Sequence, residues 1–311
     1  MFDNSLHHGQ SYAKELPKGT TMTESKPEVP LFAPPGHFYS PVTHPKANRR
    51  YLRSAHFAAQ TARVDAMLDI EAMVATWARI APHIQHFPFE RSPEFRYYGQ
   101  NNQFEYFDAS ILSGLIADLN PERIIEIGAG FSSACIFDTI DRMKKPKLKS
   151  FTTIDPDLSR INKLSPPPMA ELIGQEVQSV PLDFFRKLDA GDVLFIDSSH
   201  VLKTGSDVHF EYLHILPALK SGVIVHIHDI FYPFEYPKGW STMENRSWNE
   251  VYMVDMMLTH GNSFEIMFFN DAFVQKAADR VRVPGDMFER FDGFDSRPMH
   301  RVNGSLWLKK R

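Results

Sequence analysis

Five short β-branched runs dominate the middle of the chain: "RIIEI" at 123–127, "SFTTID" at 150–155, "QEVQSV" at 175–180, "DVLFID" at 192–197 and "GVIVHIHD" at 222–229. They are separated by segments long enough for crossover helices, the pattern of an α/β protein. The unbroken apolar stretches "VLFI" and "VIV" predict strands covered on both faces, as in a parallel sheet with helices on either side. Two further strand candidates, "SFEIMFF" and "GSLWLKK", follow a helix expected at about 248–258. Upstream, Ala62, Ala66, Leu68, Met73, Trp77 and Ile80 recur at helical spacing with Pro82 as a stop, so one or two helices precede the sheet. Three regions result. Residues 1–30 are polar, carry Pro17, Pro27 and Pro30, and read as a disordered tail. Residues 31–96 form an N-terminal extended segment, "LFAPPGHFYSPVTHP", followed by the helices. Residues 97–311 form the main domain.

The composition excludes several classes of function. With 34 basic and 38 acidic residues the formal net charge is -4, which removes any chain-wide reason to expect nucleic acid. The single cysteine, Cys135, rules out an internal disulfide framework and points to a reducing compartment, the cytoplasm. No stretch reaches the ~18 apolar residues that a membrane span needs, so no membrane partner is expected. Self-association into a homo-oligomer is left open.

The first strand leads into Gly128 and Gly130, and an apolar helical pattern follows. Such a turn leaves unpaired N–H groups at the helix start and lets a ligand approach the backbone closely. A nucleotide-like ligand fits there, as does a tight turn with no ligand. Asp155, at the end of the second strand, is placed to accept hydrogen bonds from ribose hydroxyls, or to cap a helix beginning near Pro156. A dinucleotide fingerprint would carry a third glycine where Ser133 stands, and its pyrophosphate would meet Glu126 unfavourably. A cationic ligand such as S-adenosylmethionine suits an acidic strand end better. An NAD-linked oxidoreductase is therefore the less favoured alternative.

The series E-I-G-A-G-F-S-S, then "TTIDPD", then "DVLFIDSSHVLKTGSDVHFEYLHILPALKSGVIVHIHDIF" resembles the class I S-adenosylmethionine-dependent methyltransferases, in the branch of the macrolide and sugar O-methyltransferases. The similarity runs from about Tyr97 to His228. It implies a Rossmann-like, seven-stranded, mostly parallel sheet with helices on both faces and the last strand inserted antiparallel, here behind an N-terminal helical extension. It also implies that Glu126, Gly128, Gly130 and Ser132 line the methionine side of the cofactor, that Asp155 holds the ribose, and that Asp197 reaches the cofactor as well. Tyr98 and Asn101, in the lead-in "RYYGQNNQFEYFDASIL", become further contributors, with Asn102 where a glycine is common. The family tendency Y-P-x-x-W is matched by Tyr236, Pro237 and Trp240.

Asp197 and Asp229 close two successive strands, and neighbouring strands lie ~4.8 Å apart. Both carboxylates can then reach one point, with His200 and His228 beside them, where a proton can be moved or a cation held. Methyl transfer to an alcohol needs alignment and a base, for which Asp197 and His200 are the candidates. Some relatives use a divalent cation, and by similarity Asp197, His228 and Asp229 would hold a magnesium ion, although a histidine is a poor ligand for a hard ion. Because strand residues alternate in direction, His228 and Asp229 converge only if the strand has already bent. His226 reads as a core residue, and His209 and His214 as solvated or packing residues. Tyr232, Phe234 and Trp248 join Tyr236 and Trp240 in an aromatic cluster that either closes over a substrate or packs as a lid. The expected activity is O-methylation of a hydroxyl on a small natural product or sugar. N-methylation and a catalytically silent interaction fold are the alternatives.

Overall fold

In a computed structural model the described residues are 31–101, 103–277, 280–281 and 304–311. The expected tail at 1–30 and Asn102 lie outside them. The segment 31–44 holds no helix or strand, and a helix absent from the sequence reading, α1 (Pro45–Tyr51), follows it, with His44 capping its start and Pro at its first position. Then come α2 (Ala55–Met67), capped by Ser54, and α3 (Ile70–Ile80), capped by Asp69 and ended ahead of Pro82. α4 (Tyr106–Leu119) is apolar nearly all round and buried from Phe107 to Ile116, as a helix enclosed by other elements must be. Gly114 lets it approach closely: a Cβ there would stand 2.9 Å from the Ile84 side chain.

Seven strands form one sheet: β1 (Arg123–Ile127), β2 (Ser150–Ile154), β3 (Ala170–Ile173), β4 (Val193–Ile196), β5 (Ile224–Ile227), β6 (Phe264–Phe269) and β7 (Leu306–Lys310). Their order is β3-β2-β1-β4-β5-β7-β6. The first five pair in parallel, and β7 runs antiparallel between β5 and β6. β4 and β5 are buried at every position, as their continuous apolar runs require. After β1 comes α5 (Phe131–Arg142), and the shorter helices α6 (Ser159–Asn162), α7 (Leu182–Phe185), α8 (Asp207–Phe210), α9 (Leu216–Ala218) and α10 (Lys238–Thr242) fill the later connections. α11 (Glu250–His260) and α12 (Asn270–Lys276) flank β6.

One strand falls elsewhere than expected. "QEVQSV" forms a 3-10 turn at Val177–Ser179, and the strand is the preceding "AELI". β3 is the sheet's outer strand, pairs only with β2, and has no fully buried residue, so it needs no apolar run to be recognised by. The helices expected at 31–96 share the main core: Trp77 of α3 stacks on Phe273 of α12 at 5.4 Å and on Phe107 of α4 at 6.4 Å.

Candidate active site

Strand register places the site. Ile127 is level with Ile154 on β2 and Ile196 on β4, and Ile196 is level with Ile227 on β5. The next residues, Gly128, Asp155, Asp197 and His228, therefore stand side by side along the carboxyl edge of the sheet. All four continue the ladder: Gly128, Asp197 and His228 donate their N–H groups to Ile154, Ile127 and Ile196 at 2.9 Å, and Asp155 donates to Ile173 of β3 at 3.1 Å. Gly128 has φ +85°, and a Cβ there would meet the Asp197 carbonyl oxygen at 2.0 Å, so only glycine allows β1 to turn beside β4. A crevice of about 540 Å³ opens along this edge, within the range of small-molecule sites. Gly128, Asp155 and Asp197 line it, together with Glu176 and Gln178 after β3 and Asp207 at the start of α8.

The glycine turn is tied down by carboxylates. Glu126 is fully buried beneath it and accepts hydrogen bonds from the hydroxyls of Ser132 at 2.8 Å and Ser133 at 2.5 Å. Burial pushes the Glu126 carboxyl up to about 8, against the pull of those two hydroxyls. Asp155 accepts from the N–H of Ala129 at 2.9 Å and of Asp157 at 2.7 Å, which joins the turn to the end of β2. The N–H of Gly130 is taken by the Ser133 hydroxyl. Glu126, Gly130 and Ser132 thus shape the turn from below and do not line the crevice. Tyr98 packs edge-on against Phe131 at the start of α5, at 5.2 Å. The Asn101 side chain is spent on its own loop, giving to the carbonyls of Tyr98 and Phe104 and accepting from the N–H groups of Gln103 and Phe104. It acts by holding Phe104, whose ring lies 5.1 Å from His228.

The tips of β4 and β5 gather four charged side chains. His228 Nδ1 lies 3.3 Å from Asp197 and 3.8 Å from Asp229, and His200 Nε2 lies 3.6 Å from Asp197 and 3.5 Å from Asp229. Strand alternation would have separated His228 from Asp229, but β5 ends at Ile227 and Asp229 takes a left-handed φ of +56°. His200 shares that unusual conformation, φ +60°.

Two residues that no motif announced complete the cluster. Glu250, fully buried at the start of α11, accepts from His200 Nδ1 at 2.8 Å and from the Tyr212 hydroxyl at 2.8 Å. Asp108, fully buried on α4, faces His228 Nε2 at 3.8 Å and is held by Asn270 at 2.6 Å and the N–H of Gly304 at 3.1 Å. Both lie far from the strand tips in sequence, and an acidic residue in an otherwise apolar helical face was the only available signal.

These contacts set the charges. Burial disfavours a cationic His200, but the hydrogen bond to Glu250 and the fields of Glu250, Asp229 and Asp197 outweigh it and raise its pKa to about 9. His228 is raised as well, burial being overcome by Asp229 and Asp197. In turn, burial opposes ionisation of Asp197, yet His228 and His200 hold its carboxyl down at about 2. Burial keeps Asp229 above its usual range despite the same two imidazoles. Asp197, with 31% of its side chain exposed, is the member of the cluster that also lines the crevice.

The donor set does not suit the expected magnesium ion. Two of its four side chains are imidazoles, where a hard ion prefers oxygen, and among the described residues no three His, Cys, Asp or Glu side chains meet in a metal-holding arrangement. His226 is a core residue, fully buried, stacked on Phe195 at 3.9 Å and bonded to the Ser305 hydroxyl; burial and the nearby charge of His228 push its pKa far down. His209 and His214 lie on the crossover outside the crevice. The aromatic cluster is packed in place: Trp248 meets His200 at 4.5 Å, Trp240 at 5.4 Å and Tyr236 at 5.9 Å, and Phe234 stacks on Phe269.

The seven-stranded order with its antiparallel β7, and a crevice across the tips of β1, β2 and β4, define a class I methyltransferase fold. Residues 125–230 match the model of a family described as a methyltransferase domain. An uncharacterized protein of Archaeoglobus fulgidus is 34% identical over 171 residues, which cover 52% of this chain and 76% of that one. The chain therefore carries this family's methyltransferase domain over residues 125–230 and is a relative of the archaeal protein. Among solved structures it is similar to the SAH-bound methyltransferase of Podospora anserina, with 13% identity, TM-score 0.40, and coverage of 78% of this chain and 88% of that one. It is also similar to an O-methyltransferase of tomaymycin synthesis from Streptomyces achromogenes in complex with SAM, with 18% identity, TM-score 0.35, and coverage of 51% and 70%. Among the described residues no helix is long and apolar enough to cross a membrane.

Proposed function

We propose that this enzyme methylates a hydroxyl of a small natural product or sugar, using S-adenosylmethionine bound in the crevice and His200 as the base. The observation that carries the reading is the double position of Asp197, which lines the crevice and stands 3.6 Å from His200 Nε2. Asp197 thereby links the crevice to an imidazole that accepts a proton in its base form.

The crevice chemistry favours a cation without phosphate. Asp155, Asp197, Glu176 and Asp207 line it against the single cation Lys203, and the N–H groups of Ala129 and Gly130 are already taken by Asp155 and Ser133. A pyrophosphate would meet four carboxylates there, an unfavourable field. S-adenosylmethionine, when bound, supplies an electrophilic methyl group on a sulfonium. Asp155 would accept hydrogen bonds from the ribose hydroxyls. His200 Nε2 takes the acceptor's proton, while Glu250 fixes the ring through Nδ1 and Tyr212 fixes Glu250. With a pKa of about 9, His200 is protonated at neutral pH in the free protein. The base form of His200 is reached as pH rises toward 9, so methyl transfer should quicken over that range.

Calorimetry against S-adenosylmethionine and NAD, followed by transfer of labelled methyl to hydroxyl acceptors, tests the reading. Heat with the first and none with the second is expected, and Asp197→Asn should keep donor affinity within about threefold while turnover falls by about tenfold or more. Binding of NAD alone, or unchanged turnover in the variant, rejects it.

A further inference from the structure

A second cavity, of about 820 Å³, lies between α1, α2 and the aromatic segment that follows β5, and it shares no lining residue with the crevice. Its buried wall carries Glu235, only 7% exposed. Both hydrogen bonds to that carboxylate fall on one oxygen: Oε1 accepts from the N–H of Tyr236 and from the hydroxyl of Tyr252, each at 2.9 Å. Oε2 accepts none among the described residues, and no cationic side chain among them pairs with Glu235. The cations nearby are engaged or distant. Arg63 is paired with Asp255 at 2.6 Å, Arg246 is paired with Glu244 and stacked over Trp240 and Trp248, and Arg50 stands at the exposed mouth, where water screens it. Tyr51, Tyr236, Trp248 and Tyr252 supply aromatic surface around the same space.

Oε2 stays accessible from the cavity, so an entering donor can reach it, while the carboxylate as a whole is largely desolvated by the wall behind it. Burial accordingly pushes the Glu235 carboxyl up, against the donors of Tyr236 and Tyr252. A protonated amine would satisfy the idle oxygen, restore the charged form and place its positive end near aromatic faces, whose quadrupole attracts cations. A neutral alcohol would offer the hydrogen bond without the charge. We propose that this cavity is a binding site for a small organic ammonium ion, anchored on Glu235 and walled by aromatic rings. The site is separate from the methyl-transfer chemistry and does not depend on it. It touches that chemistry at Trp248, which lines the cavity and packs against His200, and at Asn249, which lines it too and donates its N–H to the His200 carbonyl at 3.1 Å.

Calorimetric titration of the full chain with benzylamine and with benzyl alcohol, at a pH where the amine is protonated, tests the proposal without donor or activity. Benzylamine should bind at least about tenfold more tightly than the alcohol, and Glu235→Gln should weaken it by about tenfold or more while leaving the alcohol unchanged. Ala47→Trp, on the exposed side of α1 and lining the cavity, should abolish binding of both probes by filling the space, and it decides the matter if the Glu235 variant does not fold. Equal affinity for the two probes, no binding of benzylamine, or benzylamine binding unaltered in a folded variant overturns the proposal.

Discussion

Two fully buried glutamates lie on either side of the carboxyl edge and meet different fates. Glu126, under the glycine turn, has two serine hydroxyls for company and no cation in hydrogen-bond reach, so burial pushes its carboxyl up to about 8. Glu250, across the cluster, holds an imidazole and a phenol, and the effect shows on its partner: His200 is raised to about 9. Hydroxyl groups let a buried carboxyl persist by staying neutral, whereas a titratable base lets charge separate and be kept. The glycine turn is thus a rigid, near-neutral floor, and the cluster beyond it is where protons can move.

The largest expected effect breaks the second region alone. His200→Asn keeps a donor toward Glu250 but removes the ring that carries the proton, so kcat should fall by about 10²–10⁴ with donor affinity held, as single-turnover kinetics and calorimetry would reveal. A loss under tenfold would mean that another group is the base. Glu250→Gln should come next. The buried pair is broken, which costs about 3–5 kcal/mol in urea unfolding. As a positioning residue Glu250 also sets the basicity of His200, so the rising limb of kcat/KM, expected near pH 9 in the wild type, should move to lower pH. A limb that stays in place would give Glu250 a purely structural role.

The smallest effect sharpens the first region. Glu126 is raised above its unfolded value near 4.5, so the folded state binds more protons between pH 4.5 and about 8. Its contribution to stability is complete below 4.5 and is lost as pH rises through about 8. His200 behaves alike in a higher window, complete below about 6.5 and lost through about 9. Glu126→Gln should therefore flatten the stability profile between pH 4.5 and 8, by at most roughly 1.4 kcal/mol per pH unit, and leave the loss toward pH 9 in place. A slope from pH 5 to 7 that is the same in variant and wild type would show that Glu126 is ionised in the fold, since the raised carboxyls of Asp229 and Glu235 contribute their share of the fall in both.

The central parallel strands were legible because burial on both faces demands apolar runs, which "VLFI" in β4 and "VIV" running into β5 supply. β3 was misplaced onto "QEVQSV" because an outer strand with no fully buried residue is under no such demand. α1 was missed because it is seven residues long with none buried, so it carries no apolar period. At the site, the strand-end residues Gly128, Asp155, Asp197 and His228 could be read, since each follows a recognisable strand. Glu250, Asp108 and Glu235 could not, because nothing in their local sequence says which side chain they will meet.

By itself, the sequence determined which residues end the strands, since strand propensity and apolar patterning are local, and it determined that a glycine must stand where β1 turns. Only the tertiary structure decided which of those residues work together. The arrival of α11 with Glu250 behind His200 and the burial of Asp108 between Asn270 and Gly304 are long-range contacts, whereas the left-handed bend at Asp229 and the spending of Glu126, Ser132 and Asn101 on nearby residues are local conformations that the surrounding fold selects. Proton affinity and ligand preference follow from those contacts, because a buried charge takes its energy from neighbours that folding brings together from distant parts of the chain.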